Sequence, residues 1–220
     1  VGNPTAEEVE QFKAGQHQSF EAFCHDNQLD NRPVIALLAG SRRQEVKDNL
    51  PAMIEAASAF KDKYQLVLAK APSLDDDYYA PFLKGKDIKA VSDKTYALLS
   101  HSTAALVTSG TATLETALFG VPQTVCYKTP VPRLIRFAFN HVLKVRFISL
   151  VNLIADREVV SELFAERFSV AQIRDDLRSI LPGGSRREAM LQGYDDVASR
   201  LGHTSAPDNA ARIMVKLLKG

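Results

Sequence analysis

The feature that most constrains the fold is a series of short apolar runs separated by stretches with helical periodicity. The predicted strands are residues 34–38, 66–69, 88–91, 104–108 and 123–127. Continuous apolar runs of this length fit strands that are buried on both faces. Strands that alternate with helices are typical of βαβ units, which build a parallel sheet with helices on both faces. We therefore predict an α/β, Rossmann-like fold.

The chain divides into a leading segment and one larger domain. Residues 1–31 carry six carboxylates against one lysine, and Thr5 and Glu8 have the spacing of a capping box that starts a helix. We interpret 1–31 as a helical inter-domain crossover and 32–220 as a Rossmann-like domain with closing C-terminal helices. Helices are predicted at 161–165, 170–181, 185–201 and 207–218. The opening Val1-Gly2-Asn3-Pro4 has no Met, which favours a piece of a longer protein.

Composition excludes several functions. The 220 residues include 27 Lys and Arg against 26 Asp and Glu, so there is no global basic field for binding nucleic acid. The apolar runs are far shorter than the roughly 20 residues of a membrane-spanning helix. The two cysteines cannot form a disulfide scaffold, which favours a reducing compartment. The five histidines lack zinc spacing, and Asp75-Asp76-Asp77 fits an acidic first helical turn better than a cation site.

The first candidate site is the loop after the first predicted strand. Gly40 lets the backbone approach a ligand, Ser41 offers a hydroxyl, and Arg42 offers a planar fork suited to phosphate. The alternative is an ordinary turn with a surface arginine. Taken alone, that alternative is the simpler interpretation.

The second candidate site follows the fourth predicted strand and opens a helix. Ser109, Gly110, Thr111, Ala112 and Thr113 combine hydroxyl groups with the free N–H groups of a helix N-terminus, which together suit an anion. The alternative is N-capping by Ser109 or Thr111. Capping needs one hydroxyl only, so the cluster favours phosphate. The loop is neither a Walker motif nor a GxGxxG fingerprint, and no cofactor is predicted.

Glu115 adds a carboxylate to this helix. It lies four residues after Thr111, so it is out of register for a capping box. It either favours the helix dipole or accepts hydrogen bonds from the two hydroxyls of a ribose. Carboxyl ends of parallel strands meet at one edge of a sheet, so the two loops and this carboxylate predict a site for a nucleotide diphosphate.

A third candidate is a basic stretch at 128–146, which contains no acidic residue. Its bases interleave with apolar residues, as in a helix that lies on anionic lipid. A surface helix packed on the core, or one that meets the acidic residues 1–31, explains the pattern equally well. The candidate membrane-facing residues are Arg133, Arg136, Lys144 and Arg146.

Several motifs occur together in a characteristic order. They are Leu37-Leu38-Ala39-Gly40-Ser41-Arg42 with Glu45, Ser109-Gly110-Thr111-Ala112-Thr113-Leu114-Glu115, Pro122, Tyr127-Lys128, and residues 148–158. In this combination the chain resembles the lipid A disaccharide synthases, which are GT-B glycosyltransferases of family 19. The resemblance spans essentially the whole chain and corresponds to the C-terminal half of such enzymes.

The resemblance implies an activity and a location. The family joins UDP-2,3-diacylglucosamine to 2,3-diacylglucosamine 1-phosphate (lipid X), giving a β-1,6-linked disaccharide 1-phosphate and UDP. The reaction is inverting and metal-independent, at the inner face of the Gram-negative inner membrane, where the enzyme is peripheral. The acceptor-binding N-terminal domain, with its catalytic Asp, would be absent from this chain, so the chain alone is expected to be inactive. Some members form homodimers, and the resemblance extends that expectation to this chain.

Site residues also follow from the resemblance. Arg42 would contact a donor phosphate, residues 109–113 would hold the pyrophosphate, and Glu115 would bind the ribose. Tyr127, Asn152 and Arg157 would belong to the donor pocket. Three positions depart from the family pattern: Ala39 and Val151 replace prolines, and Asp156 replaces a glycine.

Two other functions stay open from the sequence. The same phosphate loops serve other GT-B enzymes, such as UDP-sugar 2-epimerases. The basic stretch at 128–146 would also suit a membrane-docking Rossmann-like module without catalysis.

Overall fold

Six parallel strands form the centre of the protein. The computed structural model describes residues 3–15, 17–108, 110–128 and 146–202. The strands in these residues are β1 (Val34–Leu38), β2 (Gln65–Lys70), β3 (Ile88–Ser92), β4 (Ser102–Val107), β5 (Gln123–Tyr127) and β6 (Ser161–Phe164). They pair in the order β3-β2-β1-β4-β5-β6. This order is that of a Rossmann sheet and confirms the predicted fold class.

Helices cover both faces of the sheet. They are α1 (Pro4–Ala14), α2 (Phe20–Asp26), α3 (Arg43–Ala57), α4 (Asp76–Leu83), α5 (Thr95–Ser100), α6 (Thr111–Leu118), α7 (Leu150–Ala155), α8 (Val170–Ile180) and α9 (Arg187–Leu201). Short 3₁₀ turns occupy Ser58–Phe60 and Ala165–Arg167. No helix among these residues is long and apolar enough to cross a membrane.

Side-chain alternation along the strands creates two apolar cores. In β1, Ile35 and Leu37 point to the core under α3, α8 and α9, whereas Val34, Ala36 and Leu38 point to the core under α2 and α5. The whole strand is buried, which is why its sequence is a continuous apolar run. Each fully buried aliphatic side chain of this kind contributes about 1.5–3 kcal/mol relative to exposure.

Two local predictions are wrong. Residues 161–165, predicted as a helix, contain strand β6, which pairs in parallel with β5. Four residues are too few for periodicity to separate the two states, and pairing with β5 decides between them. The cap of α1 is Asn3, whose side chain accepts from the Thr5 N–H at 2.9 Å, and Thr5 lies inside the helix. The helix predicted at 207–218 lies outside the described residues.

The leading segment packs on the sheet domain through both of its helices. Phe23 of α2 is fully buried in the core under α5. Phe12 of α1 makes an edge contact with Phe119, with ring centroids 5.8 Å apart. Lys13 donates to the Leu118 carbonyl at 2.6 Å. These contacts place α1 beside α6, at the side of the sheet domain that carries the second candidate loop.

The strand order reverses at β1, and this reversal positions the site. From β1 the chain moves to β2 and β3 on one side, then returns to β4 on the other. The loops after β1 and β4 therefore diverge and leave a crevice at the carboxyl ends of the strands, where open α/β sheets bind ligands.

Candidate functional site

A cleft of about 490 Å³ opens at this reversal point. The loops that follow β1, β2 and β4 line it, together with the end of β5 and the N-terminal turns of α3, α5 and α6. Most of the residues predicted to bind the nucleotide lie on its wall: Gly40, Ser41, Arg42, Gly110, Thr111, Ala112, Glu115 and Tyr127. The structure thus brings the two candidate loops and the carboxylate together.

The loop after β1 is held by a carboxylate from α3. Glu45 accepts hydrogen bonds from the N–H groups of Ser41 at 3.0 Å and Arg42 at 3.3 Å. Gly40 has φ +104°, a left-handed backbone conformation that favours glycine. The Arg42 guanidinium lies 3.6 Å from the Glu45 carboxylate, but the side chain is 84% exposed, so it remains accessible to a ligand in the cleft.

The second loop presents the N-terminus of α6 to the cleft. Gly110 is the N-cap, with φ +132° and no capping side chain, and Thr111 begins the helix. The Thr113 hydroxyl is buried and donates to the Gly110 carbonyl at 2.8 Å, so it supports the turn from inside. Ser109 lies outside the described residues. Uncapped N–H groups at this end of the helix suit an anion.

Glu115 stands on the cleft wall one turn further along α6. It is half-buried, and the Tyr96 hydroxyl donates to its Oε1 at 3.2 Å. Burial raises the pKa of Glu115, the Tyr96 hydrogen bond lowers it, and the negative charge of Glu8 raises it. A carboxyl group with a perturbed pKa in a cleft is a candidate for ligand contact.

Sequence reasoning missed several polar groups at the cleft. Thr108 follows β4, is 1% exposed, and its hydroxyl has no hydrogen-bond partner among the described residues. Lys70 ends β2, has a side chain that is 13% exposed, and donates to Asp76 at 2.6 Å. Both lie at strand carboxyl ends, and that position was the signal that could have found them. Tyr96 gave no such signal, since it lies within a short helix and not at the end of a strand.

Asn152 and Arg157 are not brought to the cleft. Asn152 is fully buried: its side chain accepts from the N–H groups of Val159 and Val160 and donates to the Val160 carbonyl and to Glu162. The Arg157 guanidinium lies 3.5 Å from Asp196 of α9. Both residues stabilise the segment between α7 and β6, and neither lines the cleft described above.

Among the remaining predicted residues that the structure describes, none lines the cleft. Arg133, Arg136 and Lys144 lie outside the described residues. Arg146 is exposed, with its guanidinium 5.2 Å from the centre of the Phe147 ring. Asp75 caps α4 by accepting from the Tyr78 N–H at 3.0 Å. Across the described ranges, no three His, Cys, Asp or Glu side chains converge to hold a metal ion.

The cleft has the chemistry for a nucleotide diphosphate. Helix N–H groups and the exposed Arg42 guanidinium can neutralise phosphate oxygens, and Lys70 lies on the same wall with its ammonium paired to Asp76. A carboxylate on the same wall can accept from vicinal ribose hydroxyls. None of these contacts alone is specific for a nucleotide diphosphate, but their convergence at one edge of the sheet is specific for such a ligand.

Comparisons with known proteins give a consistent relationship. A family model described as lipid-A-disaccharide synthetase matches residues 1–213. The lipid-A-disaccharide synthase of Myxococcus xanthus is 37% identical over 191 residues, covering 84% of this chain and 49% of that protein. That of Geobacter sulfurreducens is 30% identical over 223 residues, covering 99% and 56%. The chain spans about half the length of the curated relatives it matches.

Solved structures support the fold. WaaG, a glycosyltransferase involved in lipopolysaccharide biosynthesis, superposes with a TM-score of 0.55 at 17% identity, covering 92% of this chain and 52% of that chain. The S. aureus MnaA–UDP co-structure superposes with a TM-score of 0.64 at 11% identity, covering 99% and 54%. At these identities the likeness concerns the architecture alone.

Proposed function

Since the chain belongs to the lipid-A-disaccharide synthetase family, we propose that it forms the donor-binding half of a lipid A disaccharide synthase. The whole enzyme would join UDP-2,3-diacylglucosamine to lipid X and release UDP. Residues 1–31 would be the inter-domain crossover, and 32–220 the domain that binds the nucleotide. An N-terminal domain would supply the acceptor site and the catalytic base.

One observation carries the proposal. Arg42, the N-terminus of α6 and Glu115 line a single cleft at the strand reversal point, although they come from separate parts of the chain. Family membership supplies the substrate class, and the cleft supplies groups for each part of a nucleotide diphosphate.

The residues suggest how the donor would react. The 6-hydroxyl oxygen of lipid X attacks the anomeric carbon of the donor, with inversion, and its proton passes to the base of the N-terminal half. The bond from the anomeric carbon to the diphosphate breaks, and UDP leaves with increased negative charge. Arg42 and the α6 N–H groups stabilise that charge, a contribution that grows towards the transition state.

The location and assembly of the enzyme belong to the same proposal. Both substrates are acylated, so the enzyme would work as a peripheral protein on the inner face of the bacterial inner membrane. Arg146, exposed at the end of the basic stretch, is available for contact with anionic lipid. A homodimer is the proposed assembly.

Calorimetric titration of the full chain with UDP tests the donor site. We expect Arg42→Ala and Glu115→Ala each to weaken UDP binding about tenfold or more, since each removes a charge-assisted hydrogen bond. Arg43→Ala is the matched control, because Arg43 lies 3.8 Å from Asp75 and over the Tyr78 ring, away from the cleft wall. Absence of UDP binding at millimolar concentration, or equal effects of all three variants, would contradict the proposal.

A product assay tests the complete reaction. The full-length enzyme is expected to convert acylated donor and lipid X into the disaccharide, with turnover lost in Arg42→Ala. An enzyme that binds UDP but epimerises UDP-sugars would point to the alternative GT-B function. Vesicle binding without any nucleotide binding would point to the membrane-docking module.

A further inference from the structure

The Tyr96 hydroxyl lies between carboxylates from two different helices. It is 3.2 Å from Glu115 Oε1 of α6 and 3.5 Å from Glu8 Oε2 of α1. Tyr96 itself belongs to α5, so three helices meet at this group. Glu115 also lines the cleft, which connects this cluster directly to the candidate nucleotide site.

Ring packing fixes the direction of the hydroxyl. The Tyr96 ring contacts Phe12 edge-on at 5.5 Å and Phe119 in a tilted arrangement at 5.3 Å between centroids. Aromatic contacts of this kind add about 0.5–1.5 kcal/mol beyond area burial. The ring is therefore held without help from the hydroxyl, and its removal leaves the packing in place.

One proton serves two acceptors. A phenol has a single O–H proton, so a strong hydrogen bond to one carboxylate weakens the bond to the other. Burial, followed by the charge and hydrogen bonding of Glu115 and Glu8, raises the pKa of Tyr96, so the phenol stays protonated at neutral pH. The shorter distance favours donation to Glu115, with Glu8 as the competitor.

We propose that Tyr96 is a positioning residue: its hydroxyl holds the Glu115 carboxylate ionised and oriented for the ribose of a nucleotide, and Glu8 of α1 opposes it. This inference rests on the proposed function for the role of Glu115. It gives the leading helix α1 a direct influence on the donor site, through a charge rather than through a ligand contact.

The two neighbours of Glu115 act in opposite directions. The Tyr96 hydrogen bond favours the carboxylate, so Tyr96→Phe is expected to raise the pKa of Glu115 further. The charge of Glu8 disfavours it, so Glu8→Gln is expected to lower that pKa. Among the residues that the structure describes, the other charged groups on the cleft wall are Arg42, Glu45 and Lys70, and neither variant alters them.

NMR titration of the Glu115 carboxyl carbon in the full chain without ligand is the first test. We expect the midpoint to move up in Tyr96→Phe and down in Glu8→Gln. General loosening of the structure would instead move the Glu115 midpoint in the same direction in both variants, towards that of an exposed glutamate. Equal midpoints in wild type and Tyr96→Phe would overturn the inference, whether or not the chain binds UDP.

UDP titration between about pH 5 and pH 8 is the second test. Glu115 is protonated over a wider range in Tyr96→Phe, so its UDP binding should be about tenfold weaker at the acidic end and only about twofold weaker at the basic end. A loss that is the same at every pH would indicate a structural role and overturn the inference.

The two tests separate the inference from the proposed function. A wild-type chain that binds no UDP overturns the proposed function and the ribose role of Glu115. The opposite NMR shifts decide independently whether Tyr96 and Glu8 control the Glu115 proton.

Discussion

At the scale of single residues, Gly40 shows why the loop after β1 tolerates no side chain. A Cβ there would lie 2.6 Å from both Cβ and Oε2 of Glu45, the carboxylate that binds the Ser41 and Arg42 N–H groups. Its φ of +104° adds a second restriction, because side chains rarely adopt that conformation. A glycine at position 40 therefore keeps the loop after β1 in the conformation in which Glu45 binds its N–H groups.

We expect Gly40→Ala to lower the free energy of unfolding by about 2 kcal/mol, from backbone strain and displacement of Glu45. Gly85→Ala is the matched control, since Gly85 also has positive φ, +73°, but open space around it. Its cost should be about 1 kcal/mol, the backbone part alone. Urea unfolding of both variants measures the difference, and equal costs would mean that Glu45 moves freely.

At the scale of elements, α7 forms although six residues are too few for a stable isolated helix. The Glu162 carboxylate on β6 accepts from the N–H groups of Ile148 and Ser149, at 3.0 and 2.9 Å. It also accepts from the Ser149 hydroxyl at 2.7 Å and from the Asn152 side chain at 2.9 Å. A buried strand residue therefore organises the start of the helix.

Glu162→Gln should lower the free energy of unfolding by about 1–3 kcal/mol, because an amide nitrogen replaces one of two acceptor oxygens in a buried site. Glu158→Gln, at a side chain that is 50% exposed, should cost less than about 1 kcal/mol. Denaturant unfolding compares the two. Similar values would show that the Glu162 hydrogen bonds contribute little.

At the scale of the whole molecule, one buried carboxylate connects the end of the sheet to two helices. Asp176 of α8 accepts from Thr124 of β5 and Ser161 of β6, both at 2.6 Å, and from Arg186 beside α9 at 2.9 Å. It is 7% exposed, so these hydrogen bonds stabilise a charge that would otherwise be costly to bury. The network lies near the amino ends of β5 and β6, whereas the cleft lies at the carboxyl ends of the strands.

We expect Asp176→Ala to cost about 3–5 kcal/mol in the free energy of unfolding, because it removes the buried acceptor of two hydroxyls and of Arg186, whose other carboxylate partner, Glu158, is half exposed. Asp175→Ala on the same helix removes an exposed pair with Arg178 and should cost less than about 1 kcal/mol. Both variants should bind UDP as tightly as wild type under conditions in which they are folded. An Asp176→Ala chain as stable as wild type would show that the network contributes no net stability.

Local patterns predicted most of the architecture. Residues 34–38 and 123–127 are strands with the predicted bounds, because strands buried on both faces leave continuous apolar runs. Loop chemistry after β1 and β4 predicted the groups that line the cleft. Strand β6 was missed, since its four residues form a strand only through pairing with β5.

The sequence by itself determined the fold class, the family and the two loops that carry phosphate chemistry, because each is written in neighbouring residues. Only the tertiary structure decided which distant side chains share the site. Glu8 and Tyr96 are 88 positions apart, and Tyr96 and Glu115 are 19 apart, yet they meet at one hydroxyl. It also turned Asn152 inward, where Glu162 and the Val160 carbonyl satisfy it. Such contacts depend on how helices pack across the sheet, and packing leaves no local pattern in the chain.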